Sequence, residues 1–135
     1  MSAYKNILFP FDSSLQTEEP FWYAIDLAKN NGGTLIFLYT HRLDANPERK
    51  LISASDLRSE MKISADDQLD RIRAKFGLDG KIDYEFHPEI GFLESRIILK
   101  LKEYPIDLLL LVESMVEQLE MDTERIECPI MMIPH

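Results

Sequence analysis

The sequence predicts an α/β protein, with helices on both faces of a five-stranded parallel sheet. Two observations carry that expectation. Short apolar runs alternate along the chain with segments whose apolar residues recur at helical spacing, in the order βαβαβαβαβ. The run 108–112 is Leu-Leu-Leu-Leu-Val without interruption, as a strand buried on both faces of a parallel sheet should be. At 135 residues the chain fits a single domain, 1–135, with one core.

Residues 6–11, Asn-Ile-Leu-Phe-Pro-Phe, read as the first strand, ended by the turn formers Asp12, Ser13 and Ser14. Thr17 is placed to cap the first helix, with Glu18 and Glu19 in its first turn, where the helix dipole favours acids. Pro20 still falls in that turn, where its missing N–H costs little. Phe21, Ala24, Ile25 and Ala28 follow at helical spacing, and Asn31-Gly32-Gly33 stops the helix. Residues 35–39 form the second apolar strand.

Ser53 and Asp56 resemble a capping box for a second helix. Along it Leu57, Met61, Ala65, Leu69, Ile72 and Phe76 make one stripe, closed by Gly77. Ile82, Tyr84 and Phe86 alternate with Asp83 and Glu85, the pattern of a half-exposed edge strand. After Gly91 a third helix carries Leu93, Ile97, Leu101 and Tyr104, and ends at Pro105. The central strand 108–112 leads to a shorter helix, expected over 115–126, and to a last strand at 130–133.

Composition excludes several function classes. The chain is 45% hydrophobic and 29% charged, the balance of a soluble globular protein. A net charge of −9 argues against nucleic acid and anionic membrane as partners. The single cysteine fits a reducing compartment, and Ile7-Leu8-Phe9, cut short by Pro10 and Asp12, is too brief for a signal-peptide core. No apolar run approaches the length of a membrane span. The expected location is the cytoplasm.

A parallel crossover usually carries a phosphate-binding turn where it leaves its strand, because backbone N–H groups and a helix N-terminus gather there. Here the link 113–127 holds no glycine. It contains Glu113, Glu117, Glu120, Asp122, Glu124 and Glu127 against one base, Arg125, a formal charge of −5. A triphosphate would meet repulsion rather than a cradle unless a metal intervened.

At four places the residues resemble the universal stress protein family. Lys5-Asn-Ile-Leu-Phe-Pro-Phe-Asp-Ser-Ser14 resembles its opening strand, which ends Val-Pro-Val-Asp-Gly-Ser. Tyr23-Ala24, then Leu27-Ala28-Lys29 and Gly32, match its first helix. Gly91 followed by Ile106-Asp107-Leu-Leu-Leu-Leu is similar to its Gly-…-Ala-Asp-Leu-Ile-Val-Met segment, and Cys128-Pro129-Ile-Met-Met-Ile to its terminal Cys-Pro-Val-Leu-Val-Val strand. The likeness is weakest across 42–80. It implies the Rossmann-like, adenine nucleotide alpha hydrolase-like sheet of order 3-2-1-4-5, and dimerisation along strand 5. ATP-binding members carry Gly-x2-Gly-x9-Gly-Ser after strand 4. Here Val112 stands in place of the first glycine and Val116-Glu117 in place of the final Gly-Ser, so the loop is shortened. Val112 neither allows positive φ nor lets backbone close on a phosphate.

By the same resemblance Pro10 and Asp12, at the end of strand 1, and Thr40, at the end of strand 2, would line an adenine and ribose pocket. They also fall at carboxyl ends of strands near the switch point, where ligands enter open α/β sheets. Asp12 reads equally well as a turn or helix-start acid. Other chemistry has little support. His41, His87 and His135 show no metal-ligand spacing, and His41 reads as an exposed loop histidine. Cys128 lacks a CxxC partner or adjacent base and reads as packing. Ser13-Ser14 lacks a nucleophile elbow. The acidic run reads as a solvated helix face, and Met121, Met131 and Met132 as core or interface.

The expected function is therefore a nonenzymatic stress-response or regulatory interaction module, with no cofactor, no catalytic residue and no metal. It would pair as a homodimer through Ile130, Met131, Met132 and Ile133, and act on an unidentified protein partner. Two alternatives stay open. One is a weak AMP or ATP sensor using the residual pocket; the other is a small enzyme on the nucleotide-hydrolase-like scaffold.

Overall fold

The computed structural model describes residues 4–41 and 53–135, with the Leu119 side chain left out. Five strands, β1 (Asn6–Asp12), β2 (Thr34–His41), β3 (Asp83–Ile90), β4 (Leu108–Val112) and β5 (Ile130–Ile133), form one sheet of order β3-β2-β1-β4-β5. Every pairing is parallel. Four helices connect them: α1 (Glu19–Asn31), α2 (Ala54–Phe76), α3 (Leu93–Glu103) and α4 (Glu113–Leu119). A 3-10 turn, Thr123–Arg125, precedes β5. Fold and strand order are those expected. The stretch 42–80, where the family resemblance is weakest, lies partly outside the described residues.

Strand alternation divides the core. Ile7, Phe9 and Phe11 point to one face with Leu35, Phe37 and Tyr39, where α1 and α2 cover them. Phe21 of α1 meets Phe9, Phe11 and Phe76 of α2 at 5.2, 5.1 and 5.3 Å, so one aromatic cluster binds both helices to the sheet. Leu8, Ile36 and Leu38 point the other way, toward α3. The 3-10 turn lies beside α3 through Arg125 and Glu94, 3.6 Å apart. At the amino edge the Asp107 carboxylate accepts from the Lys5 and Asn6 N–H groups, joining the start of β4 to the start of β1. Gly33 presses so closely on the Tyr4 carbonyl that a Cβ would collide with it.

Caps explain the helix ends. Ser53 accepts from the Asp56 N–H at 3.0 Å, and Gly32 and Gly77 end α1 and α2 with positive φ. Four details depart from expectation. The N-cap of α1 is Glu18, not Thr17, and Glu18 makes no side-chain cap bond. The shift brings Pro20 nearer the start, where its fixed φ suits the first turn. β3 runs on to Ile90 through Pro88, which an edge strand tolerates because one side needs no ladder donor. Tyr104 leaves the α3 stripe for an extended C-cap conformation imposed by Pro105, and Lys100 takes the buried position instead.

The fourth departure is α4. It spans 113–119 rather than 115–126, and breaks at Glu120, which has φ +51°. The Met121 N–H closes back on the Val116 carbonyl, and Asp122 caps the next turn by accepting from the Glu124 N–H at 3.1 Å.

Candidate functional site

The three expected pocket residues converge. Asp12 and Thr40 are register partners across the β1–β2 ladder, and Pro10 lies two residues back, beside Leu38. The β2–β3 register adds Glu89 beside Thr40. Parallel neighbours in register project to the same face, so Asp12, Thr40 and Glu89 form a row along the carboxyl edge on the face that α3 covers. The β1–β4 register sets Leu8 beside Leu109.

Asp12 is 2% exposed and serves the turn that ends β1. Its Oδ1 accepts from the Ser14 N–H at 2.9 Å and from the Ser14 hydroxyl, while its carbonyl accepts from the Leu15 N–H. That turn role is the one the sequence allowed as an alternative, and it accounts for one carboxylate oxygen. Thr40 is fully buried, and among the described residues its hydroxyl has no hydrogen-bond partner. Two other buried polar atoms lack one: His41 Nε2, which faces Glu60 Oε1 at 3.5 Å, and Glu89 Oε2, which meets the Lys100 ammonium at 2.8 Å. Thr40 has no such substitute.

Glu89 belongs to a polar cluster the sequence reading missed. Lys100 is 5% exposed; besides Glu89 it donates to His87 Nδ1 at 3.0 Å and lies over the Tyr104 ring. The other ring nitrogen of His87 meets Glu85 at 2.9 Å. Arg96 approaches Glu89 at 3.8 Å and lies across Gly91, where a Cβ would touch its Nε. A buried lysine on α3 has no periodic signature. Its partners become neighbours only when β3 and α3 pack.

Where a phosphate turn would stand, β4 enters α4 directly. Val112 is the N-cap, without a side-chain cap bond, and the acid Glu113 opens the helix. No described residue separates strand from helix.

The remaining candidates have structural roles. His41 is the last residue of β2 and half-buried against Glu60, not an exposed loop histidine. His135 pairs with Glu19 at 3.5 Å. Each histidine thus sits beside a carboxylate, yet no group of three metal-ligating side chains forms among the described residues. Cys128 is half-buried, and burial, with Asp107 nearby, pushes its thiol up from the ordinary value. Met121 is buried in the core, and Met131 receives the Tyr23 hydroxyl at 3.5 Å. No described helix is long and apolar enough to cross a membrane.

Comparison with solved structures shows the same fold. A universal stress protein family member from Burkholderia pseudomallei is 21% identical, with TM-score 0.69, over 100% of this chain and 99% of that one. UspA from Lactobacillus plantarum is 20% identical, with TM-score 0.71, over 96% and 97%. A family protein from Arabidopsis thaliana with AMP bound is 14% identical, with TM-score 0.55, over 97% and 92%. No curated protein sequence matches the chain. The sequence model of the universal stress protein family matches residues 3–114, from the start of the sheet to the first turn of α4. The chain belongs to the universal stress protein family.

Proposed function

We propose that this chain is a nonenzymatic, cytoplasmic regulatory module of the stress response that acts through protein contacts and does not hold ATP tightly. One observation carries the reading: β4 passes into α4 with Val112 as N-cap and Glu113 as first helical residue. No glycine turn is left to wrap a triphosphate, and the helix that would face it opens with an acid. The family match runs to residue 114, two residues past β4, and the rest of the acidic link lies outside it.

The protein contact is with a second copy. Among the described residues β5 pairs only with β4 and is a sheet edge, and Met132 on it is 40% exposed. An apolar edge strand invites pairing, and a two-fold axis along β5 would satisfy both edges at once. Pro134 would end that ladder.

A second reading has its own observation. The unpartnered Thr40 hydroxyl beside Asp12 supports a residual small-ligand pocket of the weak-sensor kind, and the Arabidopsis relative holds AMP. A small hydrolase finds no positive observation among the described residues. The test is to analyse nucleotide carried through purification and to heat the protein with ATP and Mg²⁺. No co-purified ATP and no shift in melting temperature are expected. Bound ATP would overturn the reading.

A further inference from the structure

His87 lies where β3 meets the last turn of α3, and its partners fix the direction of both its hydrogen bonds. The Lys100 ammonium, 3.0 Å from Nδ1, has only protons to give. The ionised Glu85 carboxylate, 2.9 Å from Nε2, has only lone pairs. Nδ1 must therefore accept and Nε2 donate. One neutral tautomer satisfies both. A second ring proton would sit on Nδ1 and point at the ammonium. The Lys100 bond would be lost, and two cations would face each other where Lys100 is buried.

The surroundings give each cation a separate anchor. From β3 itself come Glu85, on the far ring nitrogen, and Glu89, which lies 2.8 Å from Lys100 and 3.8 Å from Arg96 of α3. Tyr104, the C-cap of α3, sets its ring 5.1 Å from the His87 ring and 4.8 Å from the Lys100 ammonium. β2 presents Leu38 in register and brings no charge there. We propose that His87 is an acid-operated release for the last turn of α3. Lys100 and Tyr104 clasp the neutral ring from that turn. The protonated ring stays with Glu85, Lys100 keeps Glu89, and the turn comes away from β3. His41 and His135 meet the carboxylates of Glu60 and Glu19, contacts that a second proton strengthens, so their titration acts in the opposite sense.

Imidazoles ordinarily titrate at about pH 6.5 and carboxylates roughly two units lower, so a window from about pH 7.5 to about pH 5.5 reads histidine. The experiment follows the ring-nitrogen chemical shifts of His87 and amide exchange at Tyr104, whose N–H bonds to the Lys100 carbonyl at 2.9 Å. At the upper end the ring should carry a proton on Nε2 only. At the lower end it should carry both, and the protection factor of Tyr104 should fall about tenfold, the low end for one lost hydrogen bond to a charged group. His87→Asn keeps an acceptor near the place of Nδ1 but cannot titrate, so its Tyr104 protection should not change across the window. His135→Gln should respond as the wild type does. The decisive reading is on the wild type, so a variant that folds poorly does not shield the inference. A proton on Nδ1 at the upper end, or a ring that stays neutral throughout, overturns it. Double protonation without loss of protection at Tyr104 overturns it too, as does the same acid response in His87→Asn.

Discussion

Asp12 and Thr40 stand side by side across the β1–β2 ladder, one with its side chain bonded to Ser14 and the other with its hydroxyl unpartnered among the described residues. Burying a hydroxyl without a partner costs stability, and evolution keeps few such groups. Thr40→Val keeps the shape and removes the unmet group. It is expected to leave the free protein equally stable or more stable by up to about 1 kcal/mol, read by urea unfolding. A loss larger than that would mean the hydroxyl is bonded in solution.

Lys100 anchors α3 to β3 through Glu89 and His87. Lys100→Met keeps the stem and removes the charge, leaving Glu89 only the longer contact with Arg96, at 3.8 Å. The expected cost is roughly 2–4 kcal/mol, below that of a sealed pair because Glu89 keeps some solvent contact. Adding Glu89→Gln should recover part of it. Strict additivity in that double-mutant cycle would show that the two groups do not couple.

Most of the fold was legible because its signals are local. Apolar runs, Gly32, Gly77 and the Ser53 cap each act within a few residues. α4 was misread because its end depends on Glu120 adopting a left-handed conformation, which no glycine advertised. Of the candidate site, the placing of Pro10, Asp12 and Thr40 at neighbouring strand ends was legible from the strand pattern and family likeness. Glu89 was not: its place beside Thr40 follows from the β2–β3 register, and its partners Lys100 and Arg96 come from a helix on the other side of a turn. Residues that meet only through register leave no periodic trace in a single sequence.

Cys128 should behave as a sluggish thiol. Burial first, and then the Asp107 carboxylate, hold its proton more firmly than in an ordinary cysteine. The thiolate is the reactive form, so iodoacetamide should label it more slowly than a solvent-exposed cysteine at neutral pH. The rate should climb only as pH rises past the usual thiol range. Rapid labelling at pH 7 would contradict the buried environment.

The proposed dimer is tested at Met132, exposed on the edge strand. Light scattering should give twice the monomer mass for the wild type at micromolar concentration. Met132→Lys should lower the mass toward that of a single chain, because a lysine on a paired edge sets like charges together across the axis. A wild-type monomer ends the proposal, and a variant that stays dimeric moves the interface elsewhere.

The proposed function requires that the junction of Val112 and Glu113, where β4 enters α4 directly, hold no triphosphate. Calorimetric titration of ATP, with and without Mg²⁺, tests it most directly. The account predicts no saturable heat in the micromolar range under either condition. A dissociation constant near 1 μM, about −8.2 kcal/mol of binding free energy, would contradict it.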